Sequence, residues 1–317
     1  MGNQQSKKSK RRYFKPPVKE ISSISSDEHL SSRTDSATFR YVGGRKFYRD
    51  LPSVLPADES ELERNEKKQI IARLAWQGNF SSPIEGYLKA GGLKILDVGC
   101  GSGTWIIEMA KAYPLCTFTG VDIDITSSYS RELPDNVEFI EANLLNGIPI
   151  KSGEFDFVVM HFLSGCFTMR QLESIIIQEV ARVMKPGAWL EWMENDPDLK
   201  NQGEITKKLL QAFLSGVKSK GINSWITVEI PKILTKSGIF DNIRVGKRPA
   251  TYSSAGGIGG ELYKEIFVEV FQALKKHTME FMSVTSNEYD QLLDRVIEEF
   301  EQYQTSNDIH RFCAQRK

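Results

Sequence analysis

The sequence predicts a doubly wound α/β domain on a mostly parallel sheet, and three observations carry that expectation. Residues 94–122 read as strand, glycine turn, helix, strand and acid: an apolar run holding Asp97, then Gly99, Gly101 and Gly103 at alternate positions, then a helix from Thr104 stopped by Pro114, then a run ending on Asp122. Further apolar runs at 136–140, 155–160 and 188–193 alternate with helical patterns, the spacing of β–α units that builds a parallel sheet. The chain has 317 residues, 40% apolar and 26% charged, which suffices for one large core.

Residues 1–40 read as a disordered tail. Gly2 followed by Ser6 fits the pattern for N-myristoylation, and seven basic residues (Lys7, Lys8, Lys10, Arg11, Arg12, Lys15 and Lys19) precede Glu20. One acyl chain holds a membrane only marginally, so a basic patch beside it is the second signal that peripheral attachment requires. The alternatives are an unmodified basic tail or a nuclear-localisation patch at 7–12. Residues 21–36 hold seven serines and few large apolar side chains, too few to offset the cost of ordering.

The domain then occupies 41–317, with its core at 90–200. Asp58, Glu59 and Glu61 open a helix that runs to about Trp76, where acids favour the N-terminus. Leu62, Gln69, Ile70, Arg73, Leu74, Trp76 and Gln77 mark its inward side, and the helix is either a packing element beside the sheet or a lid. A shorter helix from Ser82-Pro83-Ile84 ends at Gly91-Gly92. After the core, an amphipathic helix at 169–184 stops at Lys185-Pro186-Gly187. Helices are expected at 205–220, 230–235, 261–282 and 287–303, the last opened by the capping box Thr285–Glu288 and carrying Tyr289, Leu292, Leu293, Val296 and Phe300 on its core face. Residues 242–246 form a sixth strand, a seventh comes from nearby, and 253–260 is a flexible loop.

Three ligands compete for the glycine turn. A P-loop would end in Gly-Lys-Ser/Thr, whereas this one ends Gly103-Thr104-Trp105. A dinucleotide fingerprint would place glycine at 104, where threonine stands. S-adenosylmethionine has no phosphate; its ammonium and sulfonium suit Asp97, and its ribose hydroxyls suit Asp122 at the next strand end. Asn143 and Leu144, after the third strand, sit where an amide meets an adenine edge. A plain tight turn would leave two acids at two strand tips without a purpose.

ILDVGCGSGTW, FTGVDID, FDFVV and VMKPGAWLEWME resemble the strand-end motifs of class I S-adenosylmethionine-dependent methyltransferases. Val54-Leu55-Pro56-Ala57-Asp58-Glu59 and the run 186–194 are similar to the fungal group that includes regulators of secondary metabolism and trans-aconitate-methyltransferase-like proteins. The resemblance covers about 50–200. It implies a seven-stranded Rossmann-like sheet with extra N- and C-terminal helices, with the cofactor S-adenosyl-L-methionine held at Asp97, Gly99, Gly101, Gly103, Asp122, Asn143 and Leu144. It also implies that the late helices at 261–303 roof the substrate pocket.

Methyl transfer needs a base only when the nucleophile arrives protonated, and His161, at the tip of the fourth strand, is the candidate, against a buried histidine with a structural bond. Glu191 and Glu194, ending the fifth strand, are expected on the substrate side, against salt-bridged carboxylates. No Asn-Pro-Pro-Tyr/Phe motif points to DNA adenine or glutamine amides, and the cysteines do not suggest a cytosine methyltransferase. The net charge of +0 gives no global argument for nucleic acid, and Cys100, Cys116, Cys166 and Cys313 share no metal-type spacing. No run reaches the length of a membrane span. The expectation is therefore an intracellular, cytoplasmic or membrane-peripheral enzyme, with the nucleus as alternative, that methylates a small molecule or protein. The group often carries His-x-Arg where this chain has Val159-Met160-His161, so a catalytically silent S-adenosylmethionine-binding regulator is the second reading.

Overall fold

The computed structural model describes residues 39–42, 44–128 and 132–317. A hairpin of β1 (Phe39–Val42) and β2 (Arg45–Tyr48) precedes helix α1 (Glu59–Trp76). The seven-stranded sheet follows: β3 (Lys94–Val98), β4 (Thr117–Asp122), β5 (Val137–Glu141), β6 (Phe155–His161), β7 (Met184–Asn195), β8 (Phe240–Thr251) and β9 (Ser306–Arg316). Its spatial order is β5-β4-β3-β6-β7-β9-β8. All neighbours from β5 to β7 run parallel, while β9 lies antiparallel between β7 and β8. Order reverses beside β3, from which the chain first builds outward through β4 and then returns to β6. Ligands of doubly wound sheets bind at such a switch point, beyond the carboxyl ends of the strands.

The central strands are apolar on both faces because helices cover both. Ile95, Leu96, Val98, Phe157, Val158, Val159 and Met160 are all fully buried. Helices α2 (Glu85–Ala90) and α3 (Thr104–Ala112) pack one face through Leu88, Trp105 and Ile106. The other face is covered by α4 (Met169–Gln171), a π turn (Leu172–Ile176), α5 (Ile177–Val183) and α7 (Ile226–Ser237). A further cluster gathers α1, α6 (Glu204–Ser219), α8 (Ile258–Ala273), α9 (Lys275–Met282) and α10 (Ser286–Tyr303) around the end of β8 and β9. No described helix is long and apolar enough to cross a membrane.

Several expectations need correction. Helix α1 buries Arg64, Ile71 and Ala72, whereas Leu74 is 49% exposed, so the inward stripe differs from the expected one. Arg64 is tolerated inside because it pairs with Glu61 one turn earlier. The Lys185-Pro186-Gly187 stop already belongs to β7, and β8 is 12 residues long, not five. The expected helix at 261–282 breaks at Leu274 into α8 and α9. The segment read as a flexible loop is a tight turn leading into α8: a Cβ on Gly260 would lie 1.9 Å from the Ser253 carbonyl oxygen. The seventh strand is β9, beyond the last helix. The capping box at Thr285 forms as expected, and Tyr289, Leu293, Val296 and Phe300 are buried behind it. Gly2 and the basic tail lie outside the described residues.

Candidate functional site

Four polar side chains stand in a row along the carboxyl edge of the sheet. Asp122 ends β4, Asp97 is one residue from the end of β3, His161 ends β6 and Glu194 is one residue from the end of β7. These strands are consecutive neighbours, so at about 4.8 Å per strand the row spans roughly 14 Å. All four line a cavity of about 420 Å³, within the range of small-molecule sites.

The glycine turn shapes one end. Gly99, Gly101 and Gly103 all have positive φ (73°, 54° and 75°), which only glycine adopts without strain. Their surroundings separate three roles. A Cβ on Gly99 would fall 2.4 Å from a Leu163 methyl, and one on Gly103 would fall 2.6 Å from the Phe139 ring, so both are packed tightly. A Cβ on Gly101 would meet nothing within 4 Å, and Gly101 lines the cavity: here the bare backbone faces a ligand. Gly103 does not line the cavity; it starts α3 from behind the turn, which corrects its expected place among the cofactor contacts.

Asp122 fixes the turn electrostatically. Its Oδ2 accepts from the Gly101 N–H at 2.8 Å and its Oδ1 from the Asp124 N–H at 3.1 Å, leaving further lone pairs for hydroxyl donors. Burial raises its pKa against the pull of those N–H groups. Asp97 is 2% exposed, and burial together with the nearby Asp122 charge pushes it up to about 8. Asn143 lines the cavity while its side-chain oxygen accepts from the Leu145 N–H at 3.0 Å, and Leu144 beside it is buried.

A cationic ligand group beside Asp97 favours the carboxylate, so below pH of about 8 its binding must release the proton. Affinity for such a ligand should therefore rise with pH from about 6 to 8, approaching tenfold per unit. Calorimetric titrations of S-adenosylmethionine across that range check this, and a flat profile contradicts it. For folding the sign is opposite. The folded pKa lies above the unfolded one, so the ligand-free protein loses stability as pH rises from about 4 to about 8. Asp97→Asn should remove that loss.

The other end differs from expectation in one respect. Glu191 does not line the cavity. It is fully buried, its Oε2 accepts from the N–H groups of Ser81 and Ser82 and the Ser82 hydroxyl at 2.8 Å each, and its Oε1 faces Arg311 Nε at 3.4 Å. The physical reason is simple: Glu191 and Glu194 are three residues apart on one strand, and an odd separation puts them on opposite faces. Glu194 does face the cavity and accepts from Trp192 Nε1 at 2.9 Å. His161 is buried, with Nδ1 2.7 Å from Gln69 Nε2 and its ring edge-on to Trp105 at 5.3 Å. With the Gln69 amide nitrogen donating to Nδ1, the ring proton is assigned to Nε2, which has no protein partner. Burial and Arg311 drive His161 down to about 3, so its imidazole is neutral and only weakly basic.

Sequence reasoning named a roof at 261–303 and a lid as one alternative for α1, but not the residues that line it. Val54–Asp58 and the α1 residues Glu61, Leu62, Asn65, Lys68 and Gln69 line the cavity, which favours the lid reading of that helix. From α8 come Ile266, Phe267, Val270 and Phe271, while α10 supports them from behind. Of these residues the helical periodicity marked Leu62 and Gln69 as inward-facing, and it could not say that their face bordered a cavity. Phe162, also in the lining, has φ 55°, a left-handed backbone that is uncommon for a bulky residue and recurs at functional sites. Asp196, Asp308 and His310 bring ligand atoms within 4.8 Å of one another. Asp308 is already held by Lys200 and Lys247, and Asp196 by Thr227 and His310, so we read an ion-pair network.

Residues 95–187 match the family model described as a methyltransferase domain. The secondary metabolism regulator laeA of Coprinopsis cinerea is 33% identical over 147 residues, which is 45% of this chain and 35% of that protein. The protein-methionine methyltransferase laeA of Emericella nidulans is 29% identical over 172 residues, 52% of this chain and 43% of its own length. The chain thus spans less than half of either relative. Among solved structures, phosphoethanolamine N-methyltransferase 2 of Haemonchus contortus aligns with 91% of this chain and 73% of its own, at a TM-score of 0.46 and 15% identity, a likeness too remote to carry function.

Proposed function

We propose that the chain is a class I S-adenosylmethionine-dependent methyltransferase that binds its cofactor at the acid-flanked turn and methylates a small molecule or a protein side chain. The observation that carries this reading is the pairing of open backbone at Gly101 with Asp122 and Asp97 along one cavity wall. A phosphate-bearing ligand would meet two carboxylates there. A ligand with an ammonium, a sulfonium and a ribose diol meets complementary groups: Asp97 would take the cationic end, Asp122 the hydroxyls, and Asn143–Leu144 the adenine edge.

When bound, that cofactor supplies an electrophilic methyl group, so the protein's own work is alignment. The reacting ends would lie between the strand tips and the α1–α8 roof. His161 Nε2–H can orient an acceptor atom by hydrogen bonding. Its depressed pKa makes it a poor proton store, so we infer an orienting role for it ahead of the general-base role. Mass-labelled methyl transfer from S-adenosylmethionine into a lysate tests the activity. Labelled product supports it; cofactor binding without any labelled product would leave the silent regulator as the better reading. The laeA relatives carry both descriptions, regulator and methyltransferase, in their names.

We also propose that Gly2 is myristoylated and, with the basic tail, gives peripheral membrane attachment. Intact-mass analysis of protein made in eukaryotic cells should show a C14 acyl group on Gly2, and an unacylated terminus would overturn this.

A further inference from the structure

We propose that the half of the cavity away from the glycine turn takes a small molecule with an apolar body and a hydrogen-bond-donating head, an alcohol or an amine, and rejects carboxylates and phosphates. This names the acceptor class and rests on the methyl-transfer reading above. The body is set by the walls: Leu210, Phe213, Val217, Ile222, Phe267 and Phe271 line the cavity with carbon. Such a surface gains free energy by covering an apolar skeleton and offers nothing to a hydrated polyanion.

The head is set by what stands among those walls. Asn307 is 1% exposed and lines the cavity, yet its Oδ1 has no hydrogen-bond partner. Its Nδ2 faces the Asp196 carbonyl oxygen at 3.5 Å, and its side chain also meets the Tyr263 hydroxyl. Asn195 lines the same cavity with a second buried, unpartnered Oδ1. The two come together because β7 and β9 pair antiparallel with Asn195 opposite Ile309, two residues from Asn307. A buried amide oxygen without a donor costs free energy, and a ligand N–H or O–H removes that cost.

Charge points the same way. Glu194 and Asp196 line this region, and among the described residues the one lysine or arginine in the lining is Lys68, itself 4.0 Å from Glu61. A carboxylate or phosphate head would enter against carboxylates with only Lys68, beside Glu61, to receive it, an unfavourable arrangement in a desolvated site. Polyacid acceptors therefore do not suit this cavity.

The test uses full-length protein saturated with S-adenosylhomocysteine and three probes of one skeleton: 2-phenylethylamine, 2-phenylethanol and 3-phenylpropanoate. Calorimetry should show the amine and the alcohol binding at least about tenfold more tightly than the acid. Asn307→Leu should weaken the favoured probes about tenfold and leave the acid unchanged. Should Asn307→Leu fail to fold, Asn195→Ala is expected to give the same selective loss. Equal affinities, a preference for the acid, unchanged binding by the folded variants, or no binding by any probe would overturn the assignment. Failure of S-adenosylhomocysteine itself to bind would instead sink the cofactor reading on which it rests.

Discussion

Asp122→Ala should weaken S-adenosylmethionine binding by about a hundredfold or more. Two effects combine. The carboxylate is the group proposed to accept both ribose hydroxyls, and each hydrogen bond to a charged acceptor contributes about 1.5–3 kcal/mol. It also accepts the Gly101 and Asp124 N–H groups, so its removal loosens the turn that presents open backbone to the ligand. Asp122→Asn separates the two, since the amide can accept at one oxygen but cannot hold both N–H groups and both hydroxyls. Calorimetry should rank wild type, Asn and Ala in that order. Wild-type affinity in Asp122→Ala would remove this residue from the site.

Arg311→Leu should cost about 3–5 kcal/mol of stability, because it strands the carboxylate of Glu191 in the interior. Arg311 and Glu191 are 2% and 0% exposed. The guanidinium also donates to the Gly78 carbonyl at 2.7 Å and the Ser81 hydroxyl at 3.1 Å, and lies over the Trp76 ring at 4.9 Å. It therefore joins the end of α1, the Ser81–Ser82 turn and strands β7 and β9. Thermal unfolding should fall on the order of 10 °C. The double variant Glu191→Leu/Arg311→Leu should recover part of the loss, since the buried charge is then gone. A double variant as unstable as the sum of the singles would show that the two residues do not act as a pair.

The parts of this fold that can be read from sequence are those specified locally. Strands β3 to β6 are short, mainly apolar runs with punctuation at both ends, and the acids at two of their tips stand out against apolar neighbours. Strand β9 is the counterexample. Ser306–Arg316 contains Asn307, Asp308, His310 and Arg311, and nothing local marks it as a buried strand. Its polar side chains are satisfied by partners far along the chain: Asp308 by Lys200 and Lys247, His310 by Asp196, and Arg311 by Glu191. The same distance hides Asn307 as a cavity residue. For Glu191 the information was present, since strand alternation alone separates it from Glu194. For Gly103, spacing marked a glycine but not which side of the turn it served; the Phe139 ring behind it decides that.

The most direct measurement is a structure of the complex with S-adenosylhomocysteine. The account predicts the ribose on the Asp122 carboxylate, the amino-acid end beside Asp97 and Gly101, the adenine edge at Asn143–Leu144, and the sulfur directed toward His161 and Glu194. A ligand seated elsewhere in the cavity, or reversed so that adenine lies beside Asp97, would contradict it.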